Sequence, residues 1–171
     1  KGAGDRLDLI SDRLMKRYNL HVADFDALKK DKTMVRKFFN TYNDCFDGVV
    51  YNFVPFTEEE IEEEINQIMG QLDGRSCCVI MDQDNEVAAF GISIPSMSKA
   101  MQKAKGRLFP FGWYHVLRAM NDFTYMDLML VGAAPKWQNT GISALIHGMM
   151  GQLYKVCGAK WALANPQIET N

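Results

Sequence analysis

TYMDLMLVGAAPKWQNTGISALIHGMMGQLYKVCGAKWALA, residues Thr124 to Ala164, is the stretch that decides the fold. Thr124–Val131 is a largely apolar run that reads as a strand, and Gly132-Ala133-Ala134-Pro135 ends it. A polar loop, Lys136 to Thr140, leads to Gly141. Ile142, Leu145, Ile146, Met149 and Leu153 then recur at helical spacing, Gly158 stops that helix, and Lys160–Ala164 is another strand. A strand, helix and strand joined in this order favour parallel pairing through a right-handed crossover. The junction Gln138-Asn139-Thr140-Gly141-Ile142-Ser143 places unpaired amides and the positive end of a helix dipole at a strand end. A diphosphate can sit there, since small residues let it approach the backbone. A plain strand–helix turn has the same residues, and the junction alone does not separate the two.

Working outward, Ser76–Met81 and Val87–Ile94 flank the turn residues Asp82-Gln83-Asp84-Asn85 and read as an antiparallel hairpin closed by Pro95. Before it, Thr57 and Glu60 form a capping-box pair for a helix with Ile61, Ile65, Ile68 and Leu72 as its apolar stripe. The acidic run Glu58–Glu64 is a solvated face suited to that helix's N-terminal end, not a metal site. Asp31 or Thr33 caps a helix carrying Met34, Val35, Phe38, Phe39, Tyr42 and Phe46. Leu20–Phe25 reads as a short strand, and Asp5–Tyr18 as a helix with Leu7, Ile10, Leu14 and Tyr18 on one face. Between the hairpin and the deciding stretch lie two short helices, Met97–Lys105 and Trp113–Met120. They are separated by the irregular Gly106-Arg107-Leu108-Phe109-Pro110-Phe111-Gly112.

The 171 residues hold 19 Lys+Arg against 21 Asp+Glu, a formal net charge of −2, so there is no global electrostatic case for nucleic acid or anionic lipid. No apolar run is long enough to span a bilayer. The start, Lys1-Gly2-Ala3-Gly4-Asp5, has neither a Met nor an apolar leader, and the expectation is an interior piece of a longer cytoplasmic chain. Cys45, Cys77, Cys78 and Cys157 show no metal-binding spacing, and Cys77 and Cys78, inside an apolar run, read as buried thiols in a reducing compartment; His21, His115 and His147 are scattered. No metal is expected. The phosphate-loop, dinucleotide and nucleophile-elbow motifs are absent.

Asp127 is the one residue out of place, a carboxylate inside an apolar strand. Strict alternation puts Tyr125, Asp127, Met129 and Val131 on one face. That face is either partly open to solvent, or it carries a general base.

Together these elements and motifs resemble the GNAT superfamily of acyl-CoA-dependent N-acyltransferases. The resemblance implies an α+β fold with a mixed, mostly antiparallel sheet flanked by helices. It covers residues 20–171, with residues 1–19 as a helix or linker from a preceding region. More narrowly, Tyr51-Asn52-Phe53-Val54-Pro55-Phe56-Thr57, Gly106–Gly112, Pro135–Ile142 and Pro166–Asn171 resemble the second half of a bacterial group of large GNAT-like proteins. A second GNAT-like region in the longer chain is then a possible contact partner. The family's last helix and two strands are not in the sequence.

The resemblance further implies acetyl-CoA or another acyl-CoA as cofactor and a small-molecule or peptide amine as acceptor. Gln138, Asn139, Thr140, Gly141, Ile142 and Ser143 would form the pyrophosphate loop, although Thr140 and Ser143 replace residues that are commonly Gly or Ala. Val131, Gly132 and Ala133 would hold the pantetheine arm and polarise the thioester carbonyl through backbone groups, with Asn171 near the thiol. Asp127 would be the base that deprotonates the amine, with Tyr125 and Glu169 as alternatives. The helical segment Met97–Met120 would bound the acceptor pocket, where Arg107 is free to bind a carboxylate or to bond loop carbonyls. A fold relative that binds CoA without catalysis, or only packs within a larger protein, is the alternative expectation.

Overall fold

The computed structural model describes residues 3–47, 53–67 and 72–164. Five strands form one sheet in the order β1 (His21–Val22), β2 (Cys77–Met81), β3 (Val87–Pro95), β4 (Tyr125–Ala133) and β5 (Trp161–Ala164). Every neighbouring pair is antiparallel except β4 and β5, which are parallel as the crossover through the long helix requires. This is the mixed, mostly antiparallel α+β architecture that the family resemblance implies.

The sheet is covered on both faces. One face buries Cys77, Val79, Phe90 and Ile92 against α2 (Phe25–Leu28), α3 (Lys32–Phe46) and α4 (Glu58–Gln67). The other buries Cys78, Ile80 and Ala89 against Leu145, Ile146 and Met150 of α7 (Ile142–Cys157), with Leu14 and Tyr18 of α1 (Ala3–Arg17) packed on the same cluster. The remaining helices, α5 (Ser98–Ala104) and α6 (Gly112–Ala119), form a hairpin between β3 and β4.

Local chemistry sets several boundaries. The expected strand Leu20–Phe25 shrinks to two residues, because the Asp24 carboxylate accepts the amides of Asp26 and Ala27 at 3.0 and 3.2 Å and starts α2 instead. Asp31, not Thr33, caps α3. Thr57 and Glu60 do form the capping box, at 2.8 and 3.3 Å. Glu58 and Glu62 on the solvated face of α4 pair with Arg36 of α3. Ile68 of the expected stripe lies outside the described residues.

On α1 the inward face differs from the expectation. Ile10 is exposed and Ser11 is buried instead, because Gly148 of α7 leaves room for it; a Cβ there would stand 2.4 Å from Ser11 Oγ. Asp8 adds polar ties to Gln152 at 3.1 Å and Lys155 at 3.5 Å.

Candidate functional site

Strand β4 runs two residues past the expected end, so Gly132 and Ala133 are strand residues paired with Phe90 and Ala89. Gly132 is required there by proximity: a Cβ would lie 2.4 Å from Phe90 Cζ and 3.2 Å from Cys45 Sγ. The pairing of β3 with β4 shifts register between Ile92 and Ser93, from Ile92↔Leu130 to Ser93↔Leu128, so that β4 carries one extra residue, Met129, at a bulge. The expected alternation therefore fails. Asp127 sits opposite Ile94 and shares a face with Leu130 and Gly132, while Val131 and Leu128 point to the other face. Tyr125 and Asp127 stay together, two residues apart.

On its other edge, β4 pairs with β5 only from Tyr125–Trp161 to Leu128–Ala164. Among the described residues nothing of β5 stands opposite Val131, Gly132 or Ala133. Beyond Ala133 the chain makes one 3-10 turn, Pro135–Trp137, and then the loop Gln138–Thr140.

That turn is tied down from three sides. Lys136 Nζ reaches the buried Asp82 carboxylate at 2.6 Å, Trp137 packs edge-on to Tyr18 at 5.5 Å, and Ala134 N bonds Ala88 O at 3.0 Å. Burial works against ionisation of Asp82, but hydrogen bonds from Lys136 and the amides of Glu86 and Asp84 outweigh it and hold its carboxyl below the usual range. In the loop itself Thr140 Oγ1 donates to Trp137 O, and Gln138 Nε2 donates to Ala133 O at 3.4 Å.

Gly141 enters α7 with φ +88, a left-handed conformation that an L side chain resists. Asn139 is also left-handed, at φ +63. No side chain caps α7. Among the described residues the amides of Asn139, Gly141, Ile142 and Ser143 have no acceptor. Gln138, Asn139, Gly141 and Ser143 are exposed and Ile142 is buried beneath them, so side chains do not plug the helix entrance. His147 lies one turn on, exposed. Its Nδ1 stands 2.7 Å from Ser143 O, which can only accept, so Nδ1 carries the proton.

The Asp127 carboxylate is partly exposed and has no hydrogen-bond or ion-pair partner among the described residues. Next to it opens a cavity of ≈ 460 Å³ between α5, α6 and the start of β4 and β5. Tyr125, Trp161 and Leu163, the register partner of Asp127, form its floor. Its walls carry Lys99, Lys103, His115, Arg118 and Asp122, with Lys99 Nζ 3.4 Å from the centre of the Tyr125 ring. The sequence places an acceptor pocket against this helical segment and names Tyr125 as an alternative base, but gives the acceptor Arg107 and not Lys99, Lys103 or Arg118. The available signal was the run of Lys99, Lys103, Lys105, Arg107 and Arg118 with no acid between Met97 and Met120. Arg107 does not line this cavity. It opens on a neighbouring one with Phe109 and Phe111, and its guanidinium has no partner among the described residues, so it does not bond loop carbonyls.

Glu169 and Asn171 lie outside the described residues. Burial pushes the thiols of Cys45, Cys77 and Cys78 up to about 12, which leaves them un-ionised and unfit as nucleophiles. Among the described residues no three His, Cys, Asp or Glu side chains group to hold a metal, and no helix is long and apolar enough to cross a membrane.

The order of the elements and the strand–loop–helix unit belong to a known architecture: the chain has the fold of the GCN5-related N-acetyltransferases. Over 80% of its length it is similar to such a protein from Sphaerobacter thermophilus, with a TM-score of 0.51, 10% identity and 32% of that chain covered. It is similar to the aminoglycoside acetyltransferase meta-AAC0020 from an uncultured soil metagenomic sample over 90% of its length and 80% of that chain, with a TM-score of 0.52 and 12% identity. Similarity to L-PGS from Bacillus licheniformis takes in 99% of the chain and 44% of that protein, with a TM-score of 0.52 and 13% identity. Among curated proteins, 113 residues are 27% identical to Protein YghO of Escherichia coli (strain K12), amounting to 65% of this chain. The match spans 27% of the length of YghO, and the chain spans about a third of the Sphaerobacter protein. No protein-family model matches the chain.

Proposed function

We propose that the chain is the acyl-CoA-binding and acyl-transferring domain of an N-acyltransferase that acts on a small amine. The observation that carries this reading is the run of partnerless amides at Asn139, Gly141, Ile142 and Ser143 beside a β4 edge with no described neighbour. The residues fit a diphosphate. Asn139, Gly141 and Ser143, three of the four residues with unbonded N–H groups, are exposed at the positive helix end, and the nearby Asp82 carboxylate is already engaged by Lys136.

Acyl-CoA, when bound, supplies the acyl group as an activated thioester. The rest of the chemistry belongs to the chain. Gln138 to Ser143 hold the diphosphate, and Val131, Gly132 and Ala133 offer backbone groups along the β4 edge that has no described neighbour. The acceptor enters from the cavity over Tyr125 and Trp161. Its ammonium has no lone pair until a proton leaves, and the Asp127 carboxylate, which has no competing partner among the described residues, accepts that proton directly or through a water. Holding both substrates along one strand contributes by proximity. The aminoglycoside acetyltransferase among the structural relatives, a protein that acts on an amine, supports this class of acceptor.

The test is calorimetric titration of acetyl-CoA into the full-length protein and into Gly141→Glu, followed by thiol release with an amine panel. The wild type binds; Gly141→Glu loses the heat yet keeps its circular dichroism, at a strain of about 1–2 kcal/mol for a side chain at positive φ. No binding by the wild type, or equal affinity in the variant, overturns the assignment of the loop. Binding with no turnover on any amine removes the transferase step and leaves a CoA-binding domain.

A further inference from the structure

The ≈ 460 Å³ cavity beside Asp127 has a charge pattern that the fold does not require. Three cations, Lys99, Lys103 and Arg118, converge on it from α5 and α6, against a single carboxylate, Asp122. Asp122 is drawn on already: it accepts the Thr124 amide at 3.0 Å, and that bond, with the nearby positive charges of Arg118 and Lys99, holds its carboxyl below the usual range. The side chains of Lys103 and Arg118 form no ion pair or hydrogen bond with any described residue, and Lys99 Nζ lies over the face of the Tyr125 ring. The surplus is a local arrangement, since the whole sequence has a formal net charge of −2.

Asp127 does not itself line this space; it follows Tyr125 by two residues on the same strand face, and its register partner Leu163 is part of the floor. The cations of the helices therefore stand over a floor that leads along β4 and β5 to a carboxylate, with Trp161, Leu163, Ala100 and Ala119 as apolar lining. A molecule bound across it would set a positive group against Asp127 and a negative group against Lys103 and Arg118.

We infer that the acceptor is an amine that also bears an anionic group, a carboxylate or a phosphate, held by Lys103 and Arg118 while its amine faces Asp127. This rests on the transferase reading above and deepens it by naming the substrate class. A polycationic amine meets like charge here, and each such pairing is destabilising. Arg118 can take either oxyanion through two parallel N–H bonds, and Lys103 adds a point charge.

Equilibrium binding tests this without needing turnover. The full-length protein, saturated with CoA, is titrated with glycylglycine, with O-phosphoethanolamine and with spermidine. Binding of either anionic amine at roughly tenfold or better over spermidine is the expected result, as charge-assisted bonds in a partly enclosed site provide. The two arms also tell carboxylate from phosphate. The double variant Lys103→Glu/Arg118→Glu should reverse that order and leave the CoA affinity unchanged. Spermidine binding as tightly as both anionic amines, no heat from either anionic amine, or an unaltered order in the variant overturns the inference. If CoA itself fails to bind, the transferase reading falls first and takes this inference with it. If CoA binds and spermidine is preferred, the substrate class alone is wrong.

Discussion

Replacing Asp82 by Asn probes how the loop before α7 is held. Asp82 is 3% exposed and accepts three hydrogen bonds: from Lys136 Nζ at 2.6 Å, from Asp84 N at 3.0 Å and from Glu86 N at 2.9 Å. Asn keeps an oxygen for the two amides of the hairpin turn and removes the charge that faces Lys136. A hydrogen bond to a charged group contributes about 1.5–3 kcal/mol net. Lys136 is half exposed, its side chain at 54%, so solvent screens the pair and brings the contribution down to about 1–2 kcal/mol.

The pH dependence carries a definite sign. The folded carboxyl titrates below its unfolded value, about 3.9, so its contribution is whole above roughly pH 5 and drains as pH falls through the folded value. Urea unfolding of wild type and Asp82→Asn at pH 7 should differ by about 1–2 kcal/mol, and that gap should narrow steadily as pH falls below the unfolded value and through the lower folded one. Acetyl-CoA affinity should fall with the variant, since the tie to the Pro135–Trp137 turn is lost. A gap that stays constant across this range, or one absent at pH 7, refutes the reasoning.

Gly132→Val should lower stability by about 1–3 kcal/mol through overpacking against Phe90 and Cys45, read as a drop in thermal midpoint. Cys45, Cys77 and Cys78, buried and pushed up to about 12, should react with a disulfide reagent at pH 8 only after urea is added. Prompt labelling of any of the three in the native protein would contradict their placement. In the transferase reading, Asp127→Asn should cut turnover about a hundredfold or more with little change in acetyl-CoA affinity, the size typical of a lost general base. Equal turnover would move the base elsewhere.

Much of this was legible because local rules decided it. The capping box at Thr57 and Glu60, the Gly141 entrance and the hairpin turn at Asp82 each follow from a few neighbouring residues, and the structure keeps them. What the sequence hid depended on contacts across the fold. Nothing near Ser11 announces that Gly148, on another helix, leaves space for it. Asp24 outcompetes a strand by hydrogen-bonding its own neighbours, a choice that the apolar residues around it conceal. The side chains of the acceptor cavity come from α5, α6, β4 and β5, and no spacing along the chain brings them together. The faces of β4 were misassigned because period-two alternation has no means of recording a bulge.

That bulge explains how one strand serves two unlike environments. With unbroken alternation, Asp127 and Val131 would share a face. Val131 and Ala133 belong to the apolar cluster under α7, so Asp127 would then point into that cluster as a buried carboxylate with no partner, at a cost of several kcal/mol. The extra residue at Met129 reverses the facing between them. Val131 stays in the core beside the helix that opens at Gly141, while Tyr125 and Asp127 turn towards the cavity walled by Lys99, Lys103 and Arg118. The cofactor end and the acceptor end proposed for this domain are thus opposite halves of a single strand, kept in fixed relation by its pairing with β3.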